Sequence, residues 1–203
     1  MTDGSTPTPR RPRSDAQRNR SVLLETARAA FAAGQAGGQP VTFEQIAREA
    51  GVGIGTLYRH FPSREALVEA LYREELAQLC ASVENLLAEL PPDRALRVWM
   101  DRFADYTEAK REMADALRAL IDAGVVTAAK SREQLGGALQ QLLDAGAADG
   151  TLRPDLNAQD LVTAIVGVVT ATAIAGGREQ LARLFDLVLD GARAGARAGL
   201  SPG

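Results

Sequence analysis

Apolar residues recur at helical spacing along almost the whole chain. Leu23, Ala27, Ala30 and Phe31 fall at i, i+4, i+7 and i+8, one face of a helix. Phe43, Ile46, Ala47 and Ala50 repeat that spacing. Leu67, Ala70 and Leu71, then Leu79, Val83, Leu86, Leu87 and Leu90, make one long stripe ended by Pro91-Pro92. Neither proline can donate a backbone hydrogen bond. At ~1.5 Å per residue this helix is ~40 Å long, enough to cross a small domain or to link two. Further stripes follow at Leu96, Trp99, Met100, Phe103 and Tyr106, at Met113, Leu117, Leu120 and Ile121, and at Leu135, Leu139, Leu142 and Leu143. Residues 161–175 are apolar on every side and are expected to form the most buried helix. Leu181, Leu184, Phe185, Val188 and Leu189 close the set. With no alternating strand pattern and no Asn-Gly hairpin signal, the expected fold is all-α with about nine helices.

The punctuation agrees with the helices. Thr42-Phe43-Glu44-Gln45 has the capping-box form, in which the Thr hydroxyl meets the amide three residues on and Gln45 reaches back. Ser63 and Asn157 are further N-cap candidates, with Asp160 well placed against the helix dipole. Gly34, Gly37 and Gly38 read as a helix end and loop.

Composition narrows the chemistry. The chain has 203 residues, 46% of them hydrophobic and 24% charged, with a net charge of −3, the balance of a globular protein rather than a disordered one. One cysteine, Cys80, and one histidine, His60, exclude an internal disulfide framework, a multi-cysteine zinc site and His-pair zinc motifs. No cofactor or metal is implied, and without convergent catalytic groups an enzyme is not expected. Cys80 is read as an inert, partly buried thiol. The Gly51-x-Gly53-x-Gly55 run has neither the preceding strand nor the spacing of a nucleotide loop. The polar N-terminus has no apolar core of a secretory signal. The uncharged stretch 161–177, at 17 residues, is short for a membrane span. The expected location is cytoplasmic.

Charge is unevenly spread. Between Arg10 and Arg64 nine basic residues face four acids, so this part carries +5 and the remainder −8. A basic N-terminal third on an acidic body points to two functions in one chain, the first of them suited to an anionic polymer.

Residues 42–61, TFEQIAREAGVGIGTLYRHF, carry the most information. A capped two-turn helix ends at Ala50, and Gly51 can take the left-handed conformation of a sharp turn. A second short helix runs to Phe61. Ala47 is small enough for a close crossing, and Val52, Leu57 and Phe61 pack back. This is the arithmetic of a helix-turn-helix, whose second helix enters the DNA major groove.

Residues 15–75 resemble the DNA-binding domain of the TetR family of bacterial transcriptional regulators. The likeness rests on Phe43-x-x-Ile46-Ala47, on Ala50-Gly51-Val52, and on Gly55-Thr56-Leu57-Tyr58-Arg59-His60-Phe61 followed by Ser63-Arg64-Glu65-Ala66-Leu67. It implies that Ile54, Gly55, Thr56 and Arg59 face the groove, Thr56 offering a hydroxyl and a methyl and Arg59 gripping guanine. It implies phosphate contacts from Thr42, Tyr58, His60 and Arg64, and less directly a minor-groove arm at Arg10, Arg11 and Arg13. Gly53 and Ile54 stand where many relatives have a hydroxyl and a lysine, so base reading leans on Thr56, Arg59 and apolar contact.

The expected organisation is a disordered basic arm (1–14), the DNA-binding domain (15–75), a helical ligand-binding and dimerisation domain (76–199) and a tail (200–203). The expected partners are double-stranded DNA, a second copy of the chain and a small-molecule effector, with no membrane. The resemblance places the dimer face on the last two helices, where Gly167, Ala171, Thr172 and Ala175 allow close approach. An effector cavity walled by Trp99, Met100, Phe103, Tyr106, Met113 and Leu117 would suit a small apolar or aromatic molecule, although the same spacing also describes plain core. Asp101, Asp105, Glu108 and Asp115 could favour a cation or simply be solvated. The resulting expectation is a dimeric repressor released by its effector. An activator of the same family, or a helical interaction module without specific DNA binding, are the alternatives.

Overall fold

The computed structural model describes residues 12–37, 41–175 and 177–195. Among them are nine helices and no strand: α1 (Pro12–Gly37), α2 (Phe43–Glu49), α3 (Ile54–His60), α4 (Arg64–Glu89), α5 (Pro92–Glu112), α6 (Ala114–Asp122), α7 (Ala128–Asp149), α8 (Ala158–Ala175) and α9 (Arg178–Ala192). The all-α expectation and the long helix both hold, α4 running for 26 residues. The chain divides into two compact units, Met1–Leu71 and Tyr72–Gly203, with the boundary inside α4.

Unit one is built around the predicted stripes. Leu23, Ala27, Ala30 and Phe31 of α1 are buried, as are Ile46 and Ala47 of α2, Leu57 and Phe61 at α3, and Leu67, Val68 and Leu71 of α4. α1 packs on α2, and α2 on α3. Gly51 has φ +67°, the left-handed conformation the turn between α2 and α3 requires. α1 starts at Pro12, so 12–14 are helical where an arm was expected, and a proline suits a helix's first turn because its missing N–H has no partner to lose there. The helix also continues through Gly34 to Gly37. Arg10, Arg11 and the tail at 200–203 lie outside the described residues, and Arg13 lies within α1.

Unit two is organised by α5, which packs against α6, α7, α8 and α9, while α7 packs on α8 and α8 on α9. Trp99 is fully buried. Its indole Nε1 donates to the Leu79 carbonyl at 3.2 Å, so its one polar atom is satisfied inside the core. Its ring lies nearly parallel to Phe103, with centroids 5.8 Å apart. A short backbone clasp joins the α7–α8 connection to the end of α9. The Arg153 amide donates to the Ala192 carbonyl (2.9 Å), and that of Ala194 to Thr151 (3.0 Å). The clasp seats Leu152 on α7, where Gly146 leaves room for it.

α8 departs from expectation. Leu161, Val162, Ile165, Val169 and Thr172 are buried, but Thr163, Ala164, Gly167, Thr170 and Ala171 form an exposed stripe. The outer stripe carries no charge and is made of Thr, Ala and Gly, so hydropathy alone does not set it apart from the aliphatic side; packing covers only one. Among the described residues no helix is long and apolar enough to cross a membrane.

A Cβ on Gly146 would lie 2.5 Å from the Leu152 side chain, whereas one on Gly137 would meet nothing within 4 Å. Gly146→Ala is therefore expected to destabilise the protein by ~1–3 kcal/mol through overpacking. Gly137→Ala, in the same helix, should gain ~0.5–1 kcal/mol. Denaturant unfolding of both variants checks the contrast.

Candidate nucleic-acid interface

The interface begins at two helix caps. Thr42 Oγ1 accepts from the Gln45 amide at 3.2 Å, fixing the start of α2 while its own hydroxyl proton stays available on the exposed side. The capping box is only half made: Gln45 Nε2 donates forward to Glu49 Oε1 at 3.0 Å rather than back to Thr42. At α4 Ser63 Oγ accepts from the Ala66 amide at 3.2 Å. The Glu65 carboxyl is held below the usual carboxylate range by its own backbone amide, with help from Ser63.

α3 carries six of the eight predicted contacts, Thr42 and Arg64 lying outside it. Leu57 is buried; Ile54, Gly55, Tyr58 and Arg59 are exposed; Thr56 and His60 sit at intermediate depth. The exposed positions fall at i, i+1, i+4 and i+5, the face opposite the buried leucine. Tyr58 is 49% exposed, yet its ring is not loose. It leans on Phe43 of α2 with centroids 5.2 Å apart. That contact explains why an aromatic stands on a surface at all: the ring is packed on one side and the rest remains open to solvent.

Arg64 has a larger structural part than its assignment as a phosphate contact implies. Its guanidinium donates to the Val41 carbonyl and lies 5.2 Å from the centre of the Phe31 ring. It thus braces the start of α4 against α1 and the entry to α2. Arg20, which the sequence marked only as part of the charge sum, comes from α1 to lie 5.4 Å over the Phe61 ring just past α3. Only tertiary packing brings it there.

The six residues expected to wall an effector cavity, Trp99, Met100, Phe103, Tyr106, Met113 and Leu117, are all buried. Beside Trp99 and Phe103, the gap they bound with Leu135, Leu139, Val162 and Ile165 does not admit a water. Rings meet in series through this region, Trp99 stacked on Phe103 and the Phe103–Tyr106 and Tyr106–Tyr72 pairs tilted by 46° and 43°. Burial above all pushes the Tyr106 phenol up, so it remains protonated. A cleft of about 270 Å³ lies elsewhere in unit two, between α4, the loop after α6 and the start of α7. The acids on α5 have cations of the chain itself as partners: Asp101 pairs with Arg97 at 2.6 Å, and Asp105 and Glu108 pair with Arg178. The Asp115 side chain lies outside the described set. Burial raises the Cys80 thiol pKa, the direction of an unreactive cysteine.

Residues 91–194 match the C-terminal domain of SbtR-like transcriptional regulators, and residues 23–71 match the bacterial regulatory proteins of the tetR family. The chain belongs to the TetR family. Among curated relatives it is 30% identical over 161 residues to the HTH-type transcriptional repressor KstR2 of Mycolicibacterium smegmatis, spanning 76% of this chain and 75% of that one. It is 33% identical over 103 residues to the HTH-type transcriptional regulator SAR0097 of Staphylococcus aureus, a match that spans 53% of that protein. Among solved structures, the TetR regulator SCO0520 of Streptomyces coelicolor is similar with a TM-score of 0.75 and 47% identity, over 87% of this chain and 99% of that one. A TetR protein of Mycobacterium vanbaalenii follows at 0.69 and 33%, over 90% and 99%. The matched N-terminal region contains α2 and α3, so this TetR-family chain is a DNA-binding transcriptional regulator whose helix-turn-helix is the one described above.

Arg64→Ala is expected to cost ~1–2 kcal/mol of stability, because it removes a charge-assisted hydrogen bond to a buried carbonyl together with a cation–π contact. Arg59→Ala, on the open face, should stay within about 0.5 kcal/mol of wild type. Thermal unfolding distinguishes the two; equal effects would show that the Arg64 brace carries no stability.

Proposed function

We propose that the protein represses transcription as a homodimer on a near-palindromic operator and is released when a small molecule binds its C-terminal unit. The observation that carries this reading is the single outward array on α3, with Thr56 and Arg59 beside Ile54 and Gly55 for base edges. Thr42, Tyr58, His60 and Arg64 stand around it as phosphate contacts. Arg59 supplies the bidentate fork that guanine accepts, and Thr56 supplies a hydroxyl and a methyl. Arg64 serves a phosphate with whatever part of its fork the Val41 carbonyl does not take.

A two-fold reader must hold its recognition helices about 34–36 Å apart, one duplex turn. The exposed stripe Thr163, Ala164, Gly167, Thr170 and Ala171 on α8, and Leu187 of α9 at 68% exposure, form the surface we assign to the partner protomer. Small residues let two such helices approach closely. Effector control is assigned to α4, which contributes residues to both units. A ligand that prefers one arrangement of the dimer shifts the population only by its difference in affinity between states. The relative named as a repressor supports the sign of the response, and regulators of this family are expected in the cytoplasm.

The test is titration onto the DNA upstream of the protein's own gene, against scrambled DNA of equal length, at two salt concentrations. Specific, salt-sensitive binding by two protomers is expected. Arg59→Ala should lose ~1–3 kcal/mol of discrimination between operator and scrambled DNA. Tyr58→Phe keeps the ring on Phe43 and should weaken both DNAs alike. Equal losses on both DNAs for Arg59→Ala would remove it from base reading, and added transcription from a bound promoter would reverse the sign.

A further inference from the structure

The cleft in unit two has a composition that speaks to its occupant. Tyr72, Arg73, Leu76 and Ala77 of α4 form one wall; Val125, Val126 and Thr127, with Lys130, Ser131 and Gln134 of α7, form the other. Arg73 and Lys130 are cationic, and no lining residue is acidic. The remaining surface combines four aliphatic side chains with hydroxyl and amide groups. The polar side of the wall is already organised. The hydroxyls of Tyr72 and Ser131 are 2.6 Å apart, and Ser131 Oγ donates to the Thr127 carbonyl at 3.2 Å. Lys110 Nζ lies 5.4 Å from the centre of the Tyr72 ring, adding a third positive charge beside the cleft. Because the hydroxyls are engaged with one another and with the backbone, the Lys130 ammonium is the lining group assigned to distinguish ligands.

We propose that this cleft is the effector site and that its ligand is a small organic carboxylate with a compact apolar body. The inference rests on the effector-released regulator proposed above. Leu76, Ala77, Val125 and Val126 take the hydrocarbon; the Lys130 ammonium takes the carboxylate through charge-assisted hydrogen bonds. The cleft's volume of about 270 Å³ is near the lower edge of small-molecule pockets, about 300–1,000 Å³, so one ring or a short chain fits and a long acyl chain does not. An inorganic anion would leave the aliphatic wall wet, and a cationic ligand would find no acidic residue in the lining.

The experiment is calorimetric titration of the full chain with benzoate, phenylacetate and hexanoate, each beside its primary amide. At least one carboxylate should bind, with its amide at least about tenfold weaker, as expected from losing a hydrogen bond between charged groups. Lys130→Met should abolish that preference without lowering the melting temperature, and Lys130→Arg should retain it. Ala77→Phe, which fills the cleft, should stop carboxylate and amide alike. The proposal is overturned if none of the three carboxylates binds, if amide and carboxylate bind equally, or if Lys130→Met is indifferent. The same ligand added to the operator complex should release the DNA. A bound carboxylate that leaves DNA affinity unchanged overturns the effector assignment. Intact operator binding with no carboxylate binding overturns the ligand class and leaves the regulator reading standing.

Discussion

A seven-residue helix does not hold itself together in water. Isolated helices shorter than about 12–15 residues are marginal even with favourable sequences, and α3 has seven residues with a glycine at its N-cap and no side-chain cap. Its existence and its direction therefore depend on burying Leu57, and Phe61 just beyond it, against unit one. The outward face of α3 follows from that burial. With Leu57 turned inward, Ile54, Gly55, Tyr58 and Arg59 must turn outward together. Phe43 steadies Tyr58, and Arg64 ties the following helix to the loop that precedes α2. The recognition surface is a consequence of a small core rather than a feature added to it.

The same dependence explains a limit on reading aromatic residues. Trp99, Met100, Phe103 and Tyr106 recur at helical spacing, which establishes that one face of α5 is apolar. Spacing says nothing about whether the space opposite is filled. Here Leu135, Leu139, Val162 and Ile165 fill it, and the Trp99 indole finds its acceptor in α4. A cleft of about 270 Å³ lies instead at the edge of the unit, where α7 starts and a short loop follows α6. Side chains there are mixed, and no periodic pattern distinguishes such a rim from ordinary surface.

α8 and α9 show how an apolar sequence and an exposed surface coexist. The small residues of α8 are hydrophobic enough to look buried on every side, yet a single chain covers only the face that carries Leu161, Val162, Ile165 and Val169. Leu187 on α9 stands in the open in the same way. Large apolar residues exposed on a folded domain are informative in a way that buried ones are not, and exposure is a property of the assembled fold.

The helical fold, the long helix, the caps at Thr42, Ser63 and Asn157 and the left-handed turn at Gly51 were all determined by local sequence. Periodicity, capping chemistry and glycine's freedom act over a few residues. The motif from Thr42 to Phe61 was legible for the same reason, and with it the alternation along α3 of a buried leucine and exposed neighbours. Tertiary structure alone decided what depends on distant parts of the chain meeting. It set the brace from Arg64 to Val41 and Phe31, and the approach of Arg20 to Phe61. It paired Asp105 and Glu108 of α5 with Arg178, left one face of α8 bare and placed the cleft beside Lys130. Each joins residues whose separation along the chain leaves no periodic trace, and each is settled by which surfaces close packing brings together.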